Sequence, residues 1–185
     1  DQAKVVGFAG RFVEEKGFDF LLKAIPYVLE RIPEARFVYA GEVNVVYEAF
    51  FEKWRHLVEQ WKDYIVMLGL LNDAQKVANF YAMCDVLALP SRTDCFPMVQ
   101  VEAMLCGTPT VATDIPGLRV PIRLTKMGRL VKPQDERALA EGIVEVLTNR
   151  EEYLRNREEI AAIFDLEKTI DKYEQLFQSL VQSVS

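Results

Sequence analysis

Short apolar runs alternate along this chain with longer stretches in which apolar residues return every three or four positions. Lys4 to Ala9, Arg36 to Ala40, Tyr64 to Leu68, Val86 to Leu89, Thr110 to Ala112 and Gly128 to Val131 are the short runs, and each reads as a strand. After the first, Phe18, Leu21, Leu22, Ile25, Val28, Leu29 and Ile32 form a helical stripe, within which Pro26 predicts a kink or an early break. Tyr47, Phe50, Phe51, Trp54, Leu57, Val58 and Trp61 form the next stripe. It reads as the core face of a helix on a sheet rather than as an aromatic platform for carbohydrate. His56, the single histidine, lies off it and is expected at the surface. Asn72-x-x-Gln75 has the form of a capping box and opens a helix with Val77, Phe80, Tyr81 and Met83 on its packing face. From Asp135 onward three helices follow, marked by Leu139 to Leu147, by Tyr153, Ile160, Ile163 and Phe164, and by the stripe Ile170, Tyr173, Leu176, Phe177, Leu180 and Val181. Strands alternating with helices in this way predict an α/β fold, a Rossmann-like three-layer domain with a mostly parallel sheet covered on both faces.

The chemistry concentrates between Val86 and Gly117. After the strand and a polar loop, a helix is expected to open at Pro97, since a proline at the first helical position gives up only an N–H without an intrahelical partner. That helix is apolar nearly all round, which places it inside the domain, yet it carries Glu102. Its neighbours one turn away are Met98, Val99, Leu105 and Cys106, none of them a partner, and an unpaired carboxylate in apolar surroundings costs several kcal/mol. Glu102 is therefore either held by a salt bridge or loop cap, or is a ligand carboxylate accepting from sugar or ribose hydroxyls. Asp94 lies eight residues upstream, in the loop before the helix. Both acids then fall beyond the carboxyl ends of strands, where open α/β sheets bind ligands. The loop from Gly10 to Gly17 follows the first strand and carries Arg11 and Lys16, a combination suited to an anion. From Leu118 to Lys132 there are five cations and no acid. This stretch reads as a solvated loop and short strand, or else as a guide for an anionic acceptor or a membrane surface.

Composition narrows the picture. At 185 residues, half of them hydrophobic and 27% charged, the chain makes one domain, 1–185, with a substantial core. A net charge of −6 argues against a general nucleic-acid binder. Cys84, Cys95 and Cys106 lack metal-binding spacing and fit a reducing cytoplasm, and no apolar run approaches the roughly 20 residues of a membrane span. The chain starts almost on its first strand without a methionine, as expected of a piece of something longer with no signal peptide.

The series Ser91-x-x-Asp94-Cys95-Phe96-Pro97-x4-Glu102-Ala103-Met104-x-x-Gly107-x-Pro109-x-Val111-Ala112-Thr113-Asp114 resembles the E-x7-E region of the group 1 (GT4) retaining glycosyltransferases. Gly10-Arg11-x4-Lys16-Gly17 is similar to their first motif, and the resemblance runs from Lys4 to about Leu180. Asp94 stands where the family usually has Glu, and Gly41-Glu42-Val43 where many members have Gly-x-Gly. The resemblance implies the C-terminal half of a GT-B fold, binding a UDP- or GDP-sugar. It implies transfer with retention and without a metal: Arg11 and Lys16 on the donor diphosphate, Asp94 on the sugar hydroxyls and Glu102 on the ribose. Further donor contacts would come from Gly10, from Leu68 at the end of the third strand with Met67 and Gly69, and from Phe96, Pro97, Met98 and Val99 where the helix opens. A saccharide or lipid-linked acceptor would be met by an N-terminal domain absent from this chain, with peripheral membrane contact by the whole protein, and the last helix would cross back toward that domain. The isolated chain is then expected to bind donor weakly and to transfer little. A non-catalytic nucleotide-binding module, or a GT-B epimerase, is the alternative on the same fold.

Overall fold

The computed structural model describes residues 3–42 and 49–184. Six strands, β1 (Lys4–Ala9), β2 (Ala35–Ala40), β3 (Ile65–Gly69), β4 (Val86–Leu89), β5 (Thr110–Thr113) and β6 (Gly128–Val131), form one sheet in the order β3-β2-β1-β4-β5-β6. Every pairing among them is parallel, from Lys4 opposite Ala35 to Thr113 opposite Val131. The order grows outward in one direction from β1 and in the other from β4, so the loops after these two strands diverge and leave a crevice at their carboxyl ends.

The period of two within each strand builds two cores. Val6, Phe8, Phe37, Tyr39, Val86, Ala88 and Val111 face α1 (Phe18–Arg31), α2 (Phe50–Gln60) and α6 (Glu136–Thr148). The alternate residues Val38, Ala40, Leu87, Leu89 and Ala112 face α3 (Ala74–Met83), α4 (Met98–Leu105), α5 (Pro116–Thr125) and α8 (Arg157–Ile163). The result is the three-layer, Rossmann-like arrangement expected from the alternation of strands and helices.

Several local expectations are corrected. Helix α1 runs unbroken through Pro26, because Leu22, Ala24, Ile25 and Val28 are all fully buried and packing outweighs the one backbone bond that proline removes. The aromatic stripe of α2 does pack on the core, with Phe50 buried and Phe51, Trp54, Leu57, Val58 and Trp61 half-buried, while His56 is exposed. Tyr47 lies outside the described residues. The cap of α3 is Asp73, whose carboxylate accepts from the Lys76 amide at 2.9 Å, rather than Asn72, and Met83 is exposed. Pro97 is the N-cap of α4 and not its first helical residue, with ψ at 101° and its carbonyl accepting from the Gln100 amide. Helix α4 is only half inside: Gln100, Val101, Ala103 and Met104 are buried, whereas Met98 is exposed. The stretch after Gly117 is the helix α5 and not a loop. Leu118, Pro121, Ile122 and Thr125 supply its buried face and Pro116 its first turn. The second C-terminal helix is two short ones, α7 (Arg150–Tyr153) and α8, separated by a break at Leu154 to Asn156. The last, α9 (Leu166–Val184), is continuous, and its apolar stripe from Leu166 to Val181 is exposed. Among the described residues no helix is long and apolar enough to cross a membrane.

Candidate functional site

The crevice opens where β1 gives way to Gly10 and Arg11. Gly10 takes φ 149° and Gly41, at the end of β2, takes φ 156°. A Cβ on Gly41 would stand 1.8 Å from the Gly10 carbonyl oxygen, so the two backbones meet here because residue 41 has no side chain to separate them. Above this junction lies a cleft of about 380 Å³. Gly10, Arg11 and Glu42 line one side and Leu70, Leu71, Val77 and Tyr81 the other.

The second half of the first loop is tied to the loop after β4. Residues Glu14–Lys16 form a 3₁₀ turn closed by Gly17, whose left-handed φ of 67° starts α1. A Cβ on Gly17 would fall 2.0 Å from the Pro90 carbonyl oxygen, so only glycine lets the two loops approach this closely. The Arg92 guanidinium grips the Asp19 carboxylate with two bonds of 2.8 and 2.9 Å and also donates to the Glu14 carbonyl. The Arg92 amide donates to the Glu15 carbonyl at 2.7 Å. Asp19 is 1% exposed, and burial alone would push its carboxyl up. The hydrogen bonds and charge of Arg92, helped by Lys23, outweigh that and hold it below the usual carboxylate range. On the far side of the β4 loop, the Thr113 hydroxyl donates to the Ser91 carbonyl at 2.6 Å. A Cβ on Gly117 would lie 2.2 Å from the Asp94 carbonyl oxygen, so α5 abuts the same loop through a glycine.

This bracing brings together the cation and the acid that lie 78 residues apart in sequence. Lys16 Nζ donates to Asp94 Oδ2 at 2.6 Å. The Asp94 side chain is 10% exposed and that of Lys16 28%. The recess beneath them is walled by Phe8, Ala9, Ala88, Leu89 and Val99, with Ser91 the other polar residue.

Glu102 finds its partner on a different helix. The Tyr81 hydroxyl donates to Glu102 Oε2 at 2.9 Å, and burial followed by the nearby carboxylate pushes the Tyr81 hydroxyl pKa well up. Glu102 is half-buried rather than enclosed, and it borders a second cleft of about 470 Å³ with Ala74, Ala78, Leu105, Cys106 and Arg157. Val77 and Tyr81 line both clefts, so the two are contiguous across Tyr81. Burial raises the Cys106 thiol, with Arg157 opposing, and burial holds the Cys84 thiol up at about 12. Among the described residues no group of three or more His, Cys, Asp or Glu is placed to hold a metal ion.

Of the residues singled out in the sequence, Gly10, Arg11, Lys16, Asp94, Val99 and Glu102 gather around these connected hollows. Phe96 and Met98 are exposed, with the Phe96 ring against Phe164 at 6.1 Å, and Pro97 is buried at the N-cap. Leu68 is exposed on the edge strand and lines none of the hollows; Leu70 and Leu71, beyond the left-handed Gly69, do. Three of the five cations of the basic stretch find acids in the fold: Arg119 pairs with Asp114, Arg129 with Glu145 and Lys132 with Asp135, at 2.7, 2.7 and 3.2 Å. Sequence reading missed Arg92, Asp19 and Tyr81. Asp19 was the one with a signal, an acid on the otherwise apolar face of α1.

The family described as Glycosyl transferases group 1 matches residues 3–149. The D-inositol 3-phosphate glycosyltransferase of Corynebacterium urealyticum is 30% identical over 187 residues, covering 96% of this chain and 43% of that protein. The chain thus spans less than half the length of this curated relative. Sucrose-phosphate synthase from Thermosynechococcus elongatus superimposes with a TM-score of 0.82 at 28% identity, covering 98% of this chain and 46% of that one. Anabaena HepE, solved in complex with UDP, shares the fold with a TM-score of 0.82 at 23% identity, covering 96% of this chain and 49% of its own. With a family match over most of its length and the strand order and braced loops described here, the chain belongs to the group 1 glycosyltransferases.

Proposed function

We propose that this chain is the donor-binding half of a retaining glycosyltransferase of the GT-B type and takes a nucleoside diphosphate sugar in the crevice between the β1 and β4 loops. The observation that carries this is the meeting of Lys16 and Asp94 at the carboxyl ends of β1 and β4, with Arg11 lining the cleft that opens beside β1. Arg11 and Lys16 supply positive charge where a diphosphate leaving group would develop negative charge, and do so in place of a metal ion. Asp94 accepts from hydroxyls of the transferred sugar. Glu102, an acceptor with room for a second bond, takes the ribose hydroxyls beside Tyr81. The base rests against Leu70, Leu71 and Val77. None of these residues acts as nucleophile or general base. The acceptor, a saccharide or a lipid-linked molecule, is met by the part of the protein that precedes this domain, and the exposed stripe of α9 offers that part an apolar seat. The free cysteines fit a cytoplasmic setting.

Calorimetric titration with UDP, GDP and ADP, each with and without its sugar, tests the assignment. HepE was solved with UDP, which makes UDP the first probe. Binding selective for one base, and weakened about tenfold or more in Glu102→Ala, is expected from the loss of a charge-assisted bond. No binding by the folded chain, or equal binding by Glu102→Ala, would overturn the assignment. Robust sugar transfer by this chain alone would also contradict it, since the acceptor side lies elsewhere.

A further inference from the structure

Granting the donor site proposed for this crevice, the Lys16–Asp94 ion pair has a consequence for which ligand the site prefers and how it lets go. The two groups assigned to different parts of the donor, one to the diphosphate and one to the sugar, are bonded to each other at 2.6 Å in the structure. We infer that this pair is an internal stand-in for the donor. A nucleoside diphosphate sugar replaces both halves of it at once, whereas a nucleoside diphosphate replaces only one.

The physical basis is the surroundings of Asp94. Its side chain is 10% exposed, and among the described residues the recess beside it is lined by Phe8, Ala9, Ala88, Leu89 and Val99, with Ser91 and Lys16 as its other polar side chains. A diphosphate that draws Lys16 away therefore leaves a carboxylate with little water, few donors and a like charge close by, which is unfavourable. With the sugar present, its hydroxyls donate to Asp94 and remove that penalty. After transfer the sugar is gone, Asp94 is again without donors, and reclosing the ion pair expels the nucleoside diphosphate. Asp94 is thus a specificity-determining residue that sets substrate against product. The geometry is held from outside the pair, because the Arg92–Asp19 grip and the Gly17–Pro90 approach fix both loops. With the loops so held, rotation of the two side chains is the way Lys16 and Asp94 part.

The test uses Asp94→Asn, which keeps the size and one acceptor oxygen, replaces the other with an NH2 donor and removes the charge. Wild type, Asp94→Asn and Lys16→Met, each checked for fold by circular dichroism, are titrated with UDP and UDP-glucose and with GDP and GDP-mannose. Wild type should bind the sugar nucleotide more tightly than the diphosphate. In Asp94→Asn the affinity for the diphosphate alone should rise on the order of tenfold, about 1.4 kcal/mol, with slower dissociation, while affinity for the sugar nucleotide rises less or falls. An equal gain for both ligands would reduce Asp94 to a general source of repulsion and overturn the inference, as would no gain for the diphosphate. Either result leaves the donor site standing. Failure of wild type to bind any of the four, or undiminished binding by Lys16→Met, overturns the donor-site assignment and the inference with it.

Discussion

The two walls of the crevice are built in opposite ways. On the β1–β4 side, charged residues are held by bonds that reach across the chain: Arg92 to Asp19, the Arg92 amide to Glu15, Lys16 to Asp94, and glycines at 17 and 117 that let loops touch backbone to backbone. On the β3–α3 side, Leu70 is exposed and Leu71 and Val77 are half-buried, and the strand that leads to them is an edge strand whose side chains alternate between half-buried and exposed. The first wall is preorganised, as a site that must meet developing charge at fixed distances requires. On the proposed reading, the first wall meets the reacting groups and the second contributes affinity for the nucleotide.

Substitutions can break that contrast, and the largest effect is expected at Gly17. In Gly17→Ala a Cβ would enter both a left-handed backbone position and the space of the Pro90 carbonyl oxygen, so a loss of about 3 kcal/mol or more in denaturant unfolding is expected. A change near zero would mean that the two loops are not pressed together. Next comes Arg92→Met, which leaves the buried Asp19 with Lys23 alone, at 3.2 Å. A loss of about 2–3 kcal/mol is expected, less than for a fully buried pair because Arg92 keeps some exposure.

The same pair predicts a pH dependence. Since the Asp19 pKa is lowered on folding, its contribution is complete above the unfolded value of 3.8 and is lost as pH falls through the lower folded value. Acid unfolding of the wild type should therefore steepen below about pH 4, and Arg92→Met should flatten that limb. An identical limb in the two proteins would show that Asp19 is not held by Arg92.

Smaller effects should separate the apolar wall. Tyr81→Phe removes the donor to Glu102 and should cost about 1–2 kcal/mol in stability, while weakening UDP binding less than Glu102→Ala does. Leu70→Ala should weaken nucleotide binding a few-fold with stability changed by less than about 0.5 kcal/mol, whereas Leu68→Ala, on the exposed edge, should change neither. Equal effects at 68 and 70 would place the base against β3 itself rather than beyond its end.

Much of this was legible in the sequence because it is local. Each strand is a short apolar run, and α1, α6 and α9 are periodic stripes, so the layers and the parallel sheet follow from patterning alone. What escaped depends on tertiary context. Helix α5 contains Gly117 and Pro121, which argue for a loop, yet Gly117 is there because the Asp94 loop passes too close for a side chain, and Pro121 sits on the buried face. Pro26 pointed to a kink or an early break, and α1 continues through it. Arg119, Arg129 and Lys132 looked like an unbalanced basic run until the fold supplied Asp114, Glu145 and Asp135. Within the site, Lys16 and Asp94 stood out in their separate loops, but nothing in the sequence announced that they would bond to each other. Arg92, 73 residues from Asp19, and Tyr81, 21 residues from Glu102, looked like an ordinary loop cation and an ordinary packing residue.

The most direct test of the central claim is to map where the nucleotide binds, by following the backbone amide resonances of the ¹⁵N-labelled chain as UDP and UDP-glucose are added. The donor-site account predicts the largest shifts at Gly10, Arg11, Lys16 and Gly17, with smaller ones at Leu71, Tyr81 and Glu102. Shifts centred instead on the separate hollow between α1 and α6, lined by Tyr27, Arg31, Arg137 and Glu141, would contradict it.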